Sequence, residues 1–151
     1  MPQSLAKLYV HLVFSTKYRT PFLQDAEMRK QVYAIQGQAL GRRNAVPIRI
    51  NGTADHVHLL FLAPRDVALS PLVSVVKTES TRWVHAQGSA LAQFNWQIGY
   101  AAFSVSHSSA DAVVRYIDNQ ESHHKRKPFE DELRELCRKH ELPLDERFAW
   151  D

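Results

Sequence analysis

VPIRINGTADHVHLLFL, residues 46–62, is the stretch on which the fold turns. Val46, Ile48 and Ile50 alternate with other residues, as in a strand with one buried face. Asn51-Gly52 is a strong turn signal, and His56 to Leu62 forms a second alternating run that would return as a hairpin until Pro64 stops it. On that second strand His56 and His58 share a face, with Cα atoms roughly 7 Å apart, two strand rises. Val57, Leu59 and Phe61 then point the other way, toward a core.

Working outward toward the N-terminus, Leu8, Val10, Leu12 and Phe14 alternate with Tyr9, His11 and Val13, a second strand-like pattern. Lys17, Tyr18, Arg19 and a turn at Pro21 follow. From Asp25 to about Leu40, Val32, Ile35, Gln36, Ala39 and Leu40 recur at helical spacing, and Gly41 ends that helix. Toward the C-terminus, Ser70-Pro71 reads as an N-cap followed by proline at the first helical position, with Leu72, Val75, Val76, Trp83 and Val84 on one side until Gly88. Ile98 to Val105 reads as the last strand. Ser108 with Asp111 resembles a capping box opening a helix to about His124. Pro128 starts an acidic helix to about His140, and Pro143 leads into an irregular tail.

The order strand, helix, strand, strand, helix, strand is that of the ferredoxin-like βαββαβ motif, an α+β fold with an antiparallel sheet and two core helices on one face. The first and third strands lie in its middle, and the other face is open to receive the additional C-terminal helix carrying Tyr116. We therefore expect one domain over residues 1–151, with its core at about 5–107, the tyrosine helix at about 109–124 and a C-terminal helix and tail at about 128–151.

Composition agrees with one compact unit. The chain has 151 residues, 44% of them hydrophobic, enough for a single core. Lys and Arg total 19 against 16 Asp and Glu, a balance of +3 that points to no particular partner. Residues 1–90 carry 11 basic and 5 acidic residues, whereas 91–151 carry 8 and 11, so the N-terminal part is the basic one. That is compatible with a solvated surface or with a face for a phosphate backbone. The lone Cys137 allows no internal disulfide and suits a reducing cytoplasm. No stretch reaches the ~20 apolar residues of a membrane span, so a cytoplasmic protein away from membranes is expected.

The candidate chemistry lies in two places. His56 and His58 could converge on one ion through neutral imidazole nitrogens, although a histidine pair on a strand is also compatible with a structural role. Tyr116 and Gln120 are four residues apart on one side of the tyrosine helix, which Val113, Val114 and Ile117 would dock. Tyr116 by itself reads as a boundary residue of a partly apolar helix.

Together these features carry more. His56-Val57-His58 on a strand followed by Tyr116-Ile117-Asp118-Asn119-Gln120 on a helix resembles the HUH single-strand DNA enzymes, and within them the single-tyrosine transposases of the insertion sequence 200/605 group. The resemblance extends to Lys17-Tyr18-Arg19, to the segment Trp96 to Ser106 and to the ending Asp145 to Asp151. It implies that Tyr116 is the nucleophile, that His56, His58 and Gln120 hold a divalent metal, Mg2+ or Mn2+, and that no small-molecule cofactor is needed. It further implies a homodimer that recognises hairpins at the ends of a mobile element. Such a dimer cuts single-stranded DNA through a 5′-phosphotyrosine, with the tyrosine serving its own subunit or the partner. Two other readings stay open: a noncatalytic ferredoxin-like nucleic-acid-binding module, and a metal-dependent nuclease without a covalent intermediate. The chain lacks the aromatic signature run of an RRM.

Secondary candidates follow from position. His11 would face the histidine pair, and His124 shares the side of Tyr116 and Gln120, although either could be a histidine with an ordinary structural role. For DNA contact the candidates are Lys17, Arg19, Arg42, Arg43, Lys77, Arg82, Lys125 and Arg126, with Tyr18, Trp83 and Trp96 available to stack on bases.

Overall fold

The structure is a computed structural model that describes residues 2–124, 127–147 and 149–151. Four strands, β1 (Leu8–Ser15), β2 (Val46–Gly52), β3 (His56–Ala63) and β4 (Ala101–Val105), form one antiparallel sheet in the order β2-β3-β1-β4. That is the ferredoxin-like arrangement, with the first and third strands central.

Helices α1 (Ala26–Gly41) and α2 (Leu69–His85) cover one face. Their apolar sides meet Leu12 and Phe14 of β1 and Val57, Leu59 and Phe61 of β3 in the main core. Each such side chain contributes about 1.5–3 kcal/mol by leaving water. The opposite face is covered too. There α3 (Ala110–Asp118) sets Ile117 against Tyr9 and Leu60, and α5 (Phe129–Lys139) sets Phe129, Leu133 and Cys137 against Val13 and Phe103. Between them lies the short α4 (Gln120–His124).

Local signals fixed most of these elements and misplaced some boundaries. Asp25 caps α1, accepting from the amides of Glu27 and Met28 at 2.9 and 3.3 Å. The hairpin turn falls at residues 53–55, because Asn51 and Gly52 are still paired, with His58 and Val57. Gly52 is required there by close approach: a Cβ would lie 2.2 Å from the His56 carbonyl oxygen. Ser70 lies inside α2, whose N-cap is Ala68 with no side-chain cap. Ser108 likewise caps nothing; its hydroxyl lies 3.1 Å from that of Ser106, and a short 3-10 turn, His107–Ser109, precedes α3. The last strand begins only at Ala101, since the carbonyls of Gln97, Ile98 and Gly99 turn toward the Lys77 ammonium instead of a neighbouring strand. Leu8 opens β1 largely exposed rather than in the core. The tyrosine helix is not continuous to His124, for it breaks at Asn119. Among the described residues no helix is long and apolar enough to cross a membrane.

Candidate active site

His56 and His58 sit on the face of β3 that α3, α4 and α5 cover, and both are fully buried. The Nδ1 of His56 is 2.7 Å from an Asp55 carboxylate oxygen and 2.9 Å from the Thr53 hydroxyl. Burial would push Asp55 up, yet its bond to His56 holds it below the usual carboxylate range. His56 Nε2 stands 3.0 Å from Gln120 Oε1; when the ring proton is on Nδ1, toward Asp55, this Nε2 carries a lone pair for a metal. His58 is treated in the same way. Its Nδ1 lies 2.8 Å from His11 Nε2, which leaves Nε2 to face inward. Burial keeps both rings neutral, lowering His58 to about 4 and His11 to about 3.

Docking of α3 brings the tyrosine to this pocket. Ile117, with Val113 and Val114, packs on Ile48, Leu60 and Leu62, and the Asn51 side-chain amide donates to the Ile117 carbonyl at 2.9 Å. The Tyr116 ring then stands 5.6 Å from the His58 ring and 6.1 Å from the His11 ring, centroid to centroid, both edge-on. Burial, the Glu132 charge and a hydrogen bond to Glu132 push its phenol well above the ordinary value. The ring also walls a cleft of about 490 Å³ lined by His11, Ser106, Ser109, Lys139 and His140.

Glu132 of α5 is the residue that sequence reading missed. It is buried, with one oxygen 2.6 Å from His58 Nε2 and the other bonded to His124 Nε2 and 3.1 Å from His123 Nε2. Burial alone would push this carboxyl up, but the hydrogen bond from His124 and the adjacent His58 imidazole hold it well below the usual carboxylate range. A signal was present: Phe129, Glu132, Leu133, Leu136 and Cys137 recur as one helix face, so Glu132 interrupts an otherwise apolar stripe. Thr53 and Asp55, which orient His56, lie in the turn itself and were also not singled out.

The donor set fits a divalent cation. Ligand atoms of His56, His58, His124 and Glu132 lie within 4.8 Å of one another. Although His58 Nε2 and Glu132 Oε1 are close, neither has a directed hydrogen bond, so two buried polar atoms face one another unsatisfied. Gln120 Oε1 adds a neutral oxygen 3.0 Å from His56 Nε2. Inward-facing acceptors with outward-facing donors are the arrangement of metal ligands and their supports.

The remaining candidates are scattered. His11 and His124 join the cluster, as described. Arg19 pairs with Glu130 and Arg42 with Glu79, while Lys17 lies over the Tyr18 ring. The Lys77 ammonium is bound to three backbone carbonyls, and burial lowers it to about 8, so it is a fastener of the chain and not a free cation for phosphate. Arg43 and Arg82 are exposed, and Arg82 lines a cleft on α2, on the far side of the sheet from Tyr116. Lys125 and Arg126 lie outside the described residues. Tyr18 is exposed, Trp83 is half-buried, and Trp96 is in the core with its indole N–H donating to Ser80 at 2.9 Å, which removes it as a base-stacking platform.

The family described as transposase, IS200 like, matches residues 4–120. Among solved structures, a candidate transposase from Deinococcus radiodurans R1 is similar at 26% identity and a TM-score of 0.65, over 80% of this chain and 95% of that one. A REP-associated tyrosine transposase bound to a REP hairpin shares the fold at 16% identity and a TM-score of 0.61, over 82% and 73% of the two chains. No curated protein matches.

Proposed function

This chain belongs to the IS200-like transposase family, and on that premise we propose that it cleaves and rejoins single-stranded DNA at hairpin-bearing ends of a mobile element through a covalent bond to Tyr116. The observation that carries the reading is the meeting, within one chain, of the Tyr116 ring with the buried histidines: 5.6 Å to His58, with Gln120, at the start of the following helix α4, 3.0 Å from His56.

Each residue has a role in this reading. Asp55 and Thr53 fix the tautomer of His56, and His11 does the same for His58, so that both present Nε2 lone pairs. His56, His58 and Gln120 would hold a divalent ion, Mg2+ or Mn2+. When bound, such an ion offsets the charge that builds on the nonbridging phosphate oxygens. Tyr116 oxygen bonds to phosphorus and the 3′ oxygen leaves, giving a 5′-phosphotyrosine and a free 3′-hydroxyl. The product is still a phosphodiester, so the step is reversible and suits rejoining. The cleft beside Tyr116, with Ser106, Ser109, Lys139 and His140 on its walls, is where the strand would enter. Residues 1–151 act as one domain in this reading, and two copies work as a homodimer on the two element ends, each using its own tyrosine.

The test is a hairpin oligonucleotide labelled 3′ of the cleavage site, incubated with the protein and Mn2+. A labelled protein band that survives denaturation is expected, and Tyr116→Phe should lack it while still binding DNA. Cleavage with multiple turnover and no protein-linked label would instead identify a nuclease, and binding without cleavage a noncatalytic module.

A further inference from the structure

We propose that Glu132 is a ligand of the catalytic metal, supplied by a helix beyond the family-matched segment, so that α5 completes the ion site. The inference rests on the reading of His56 and His58 as metal ligands and adds an anionic donor to it. Glu132 lies twelve residues past Gln120, where the family match ends.

Three observations carry it. First, a glutamate on the buried face of α5 is costly unless it is partnered, and its partners here are the imidazoles of His58, His123 and His124 and the phenol of Tyr116. No Lys or Arg reaches it among the described residues. None of these partners is a permanent cation, so no fixed positive charge among the described residues matches the carboxylate. Second, the approach of Glu132 Oε1 to His58 Nε2, 2.6 Å, is not a directed hydrogen bond, which is how two ligand atoms meet around a shared ion. Third, Glu132, His56, His58 and His124 draw their ligand atoms within 4.8 Å from three separate elements, and the apolar contacts of Phe129 and Leu133 fix the helix that delivers the carboxylate. With neutral imidazoles and an amide, a divalent ion keeps its full charge; one carboxylate halves that charge and strengthens its retention.

The alternative is that Glu132 merely covers the site and is displaced when an ion enters. Manganese binding separates the two. The full chain, stripped with chelator, is titrated with Mn2+ by calorimetry and by the loss of the free-ion EPR signal, alongside Glu132→Gln, Glu132→Ala and His58→Ala. Circular dichroism and thermal unfolding check that each variant is folded. The expected result is one Mn2+ per chain, weakened at least tenfold in Glu132→Gln and Glu132→Ala, as in His58→Ala. Glu132→Gln binding Mn2+ as tightly as the parent, or more tightly, overturns the proposal while leaving the histidine site intact. Failure of the parent chain to bind Mn2+ overturns both readings. If the variants do not fold, anomalous diffraction from parent crystals grown with Mn2+ decides: a carboxylate oxygen of Glu132 at about 2.0–2.6 Å from the ion supports the assignment, and a Glu132 turned away from it overturns the assignment.

Discussion

The side-chain amide of Asn51 donates to the main-chain carbonyl of Ile117 at 2.9 Å, joining the strand beside the histidines to the helix that carries Tyr116. This bond sits at the C-terminal end of α3, where the helix leaves carbonyls unsatisfied. It therefore helps set the tilt of the helix over the sheet. Replacing Asn51 with Ala should cost about 1 kcal/mol and raise hydrogen exchange of the α3 amides severalfold while β1 and β3 stay protected. Unchanged exchange across residues 113–119 would show that apolar packing alone seats the helix.

Metal removal should be readable as stability. An ion that binds only the folded chain adds roughly 2.7 kcal/mol at a hundredfold excess over its dissociation constant. Saturating Mn2+ should therefore raise the unfolding midpoint by about 5 °C or more, and chelator should reverse the rise. His56→Ala should abolish the metal-dependent part. A midpoint insensitive to Mn2+ in the parent chain contradicts the site.

The pH dependence of the metal-free chain follows from the buried histidines. His58 titrates at about 4 and His11 at about 3 in the folded protein, against 6.5 in the unfolded chain. Between pH 6.5 and 4 the unfolded state thus binds more protons, and stability must fall as pH falls. Above 6.5 this contribution is fully present and constant. We expect the unfolding midpoint to drop by roughly 10 °C or more between pH 7 and 4.5; a flat profile would mean that these rings are hydrated.

Gly52 tests the hairpin. A Cβ there would lie 2.2 Å from the His56 carbonyl oxygen and 2.8 Å from the Val57 Cα, both backbone atoms that cannot swing aside. Gly52→Ala should destabilise the fold by about 2 kcal/mol or more and, through His56, weaken Mn2+ binding. A variant as stable as the parent would show that the turn has slack.

Lys77→Met removes three hydrogen bonds to the carbonyls of Gln97, Ile98 and Gly99 while keeping most of the stem. The variant should lose about 1–3 kcal/mol and show faster proteolysis between Trp96 and Ala101. If it instead loses DNA affinity with unchanged stability, Lys77 is a phosphate contact after all.

Much of the fold was legible in order and pattern. Alternation in residues 8–14 and 56–62 fixed the two central strands and told which side of each faces the helices, because a period of two leaves no other choice. His56 and His58, set against Val57 and Leu59, were thereby on a common face, and the four-residue spacing put Tyr116 and Gln120 on one side of a helix. Local chemistry misled where tertiary contacts overrode it. Asn51-Gly52 looked like a turn, but its glycine serves a close approach between strands. Ile98 and Tyr100 looked like strand residues, but their segment is pinned to Lys77 instead.

The sequence by itself determined the ferredoxin-like order, the histidine pair and the tyrosine helix, since each is written in a short-range periodicity. Only the tertiary structure decided what meets across that pocket. Docking of α3 sets Tyr116 beside its own chain's histidines, and His11 is bonded to His58 across 47 residues of sequence. Docking of α5 brings Glu132, read from sequence as one more charge on an acidic helix, against His58. Contacts of that kind depend on how helices cross a sheet, which side-chain packing over the whole core fixes and no local pattern encodes.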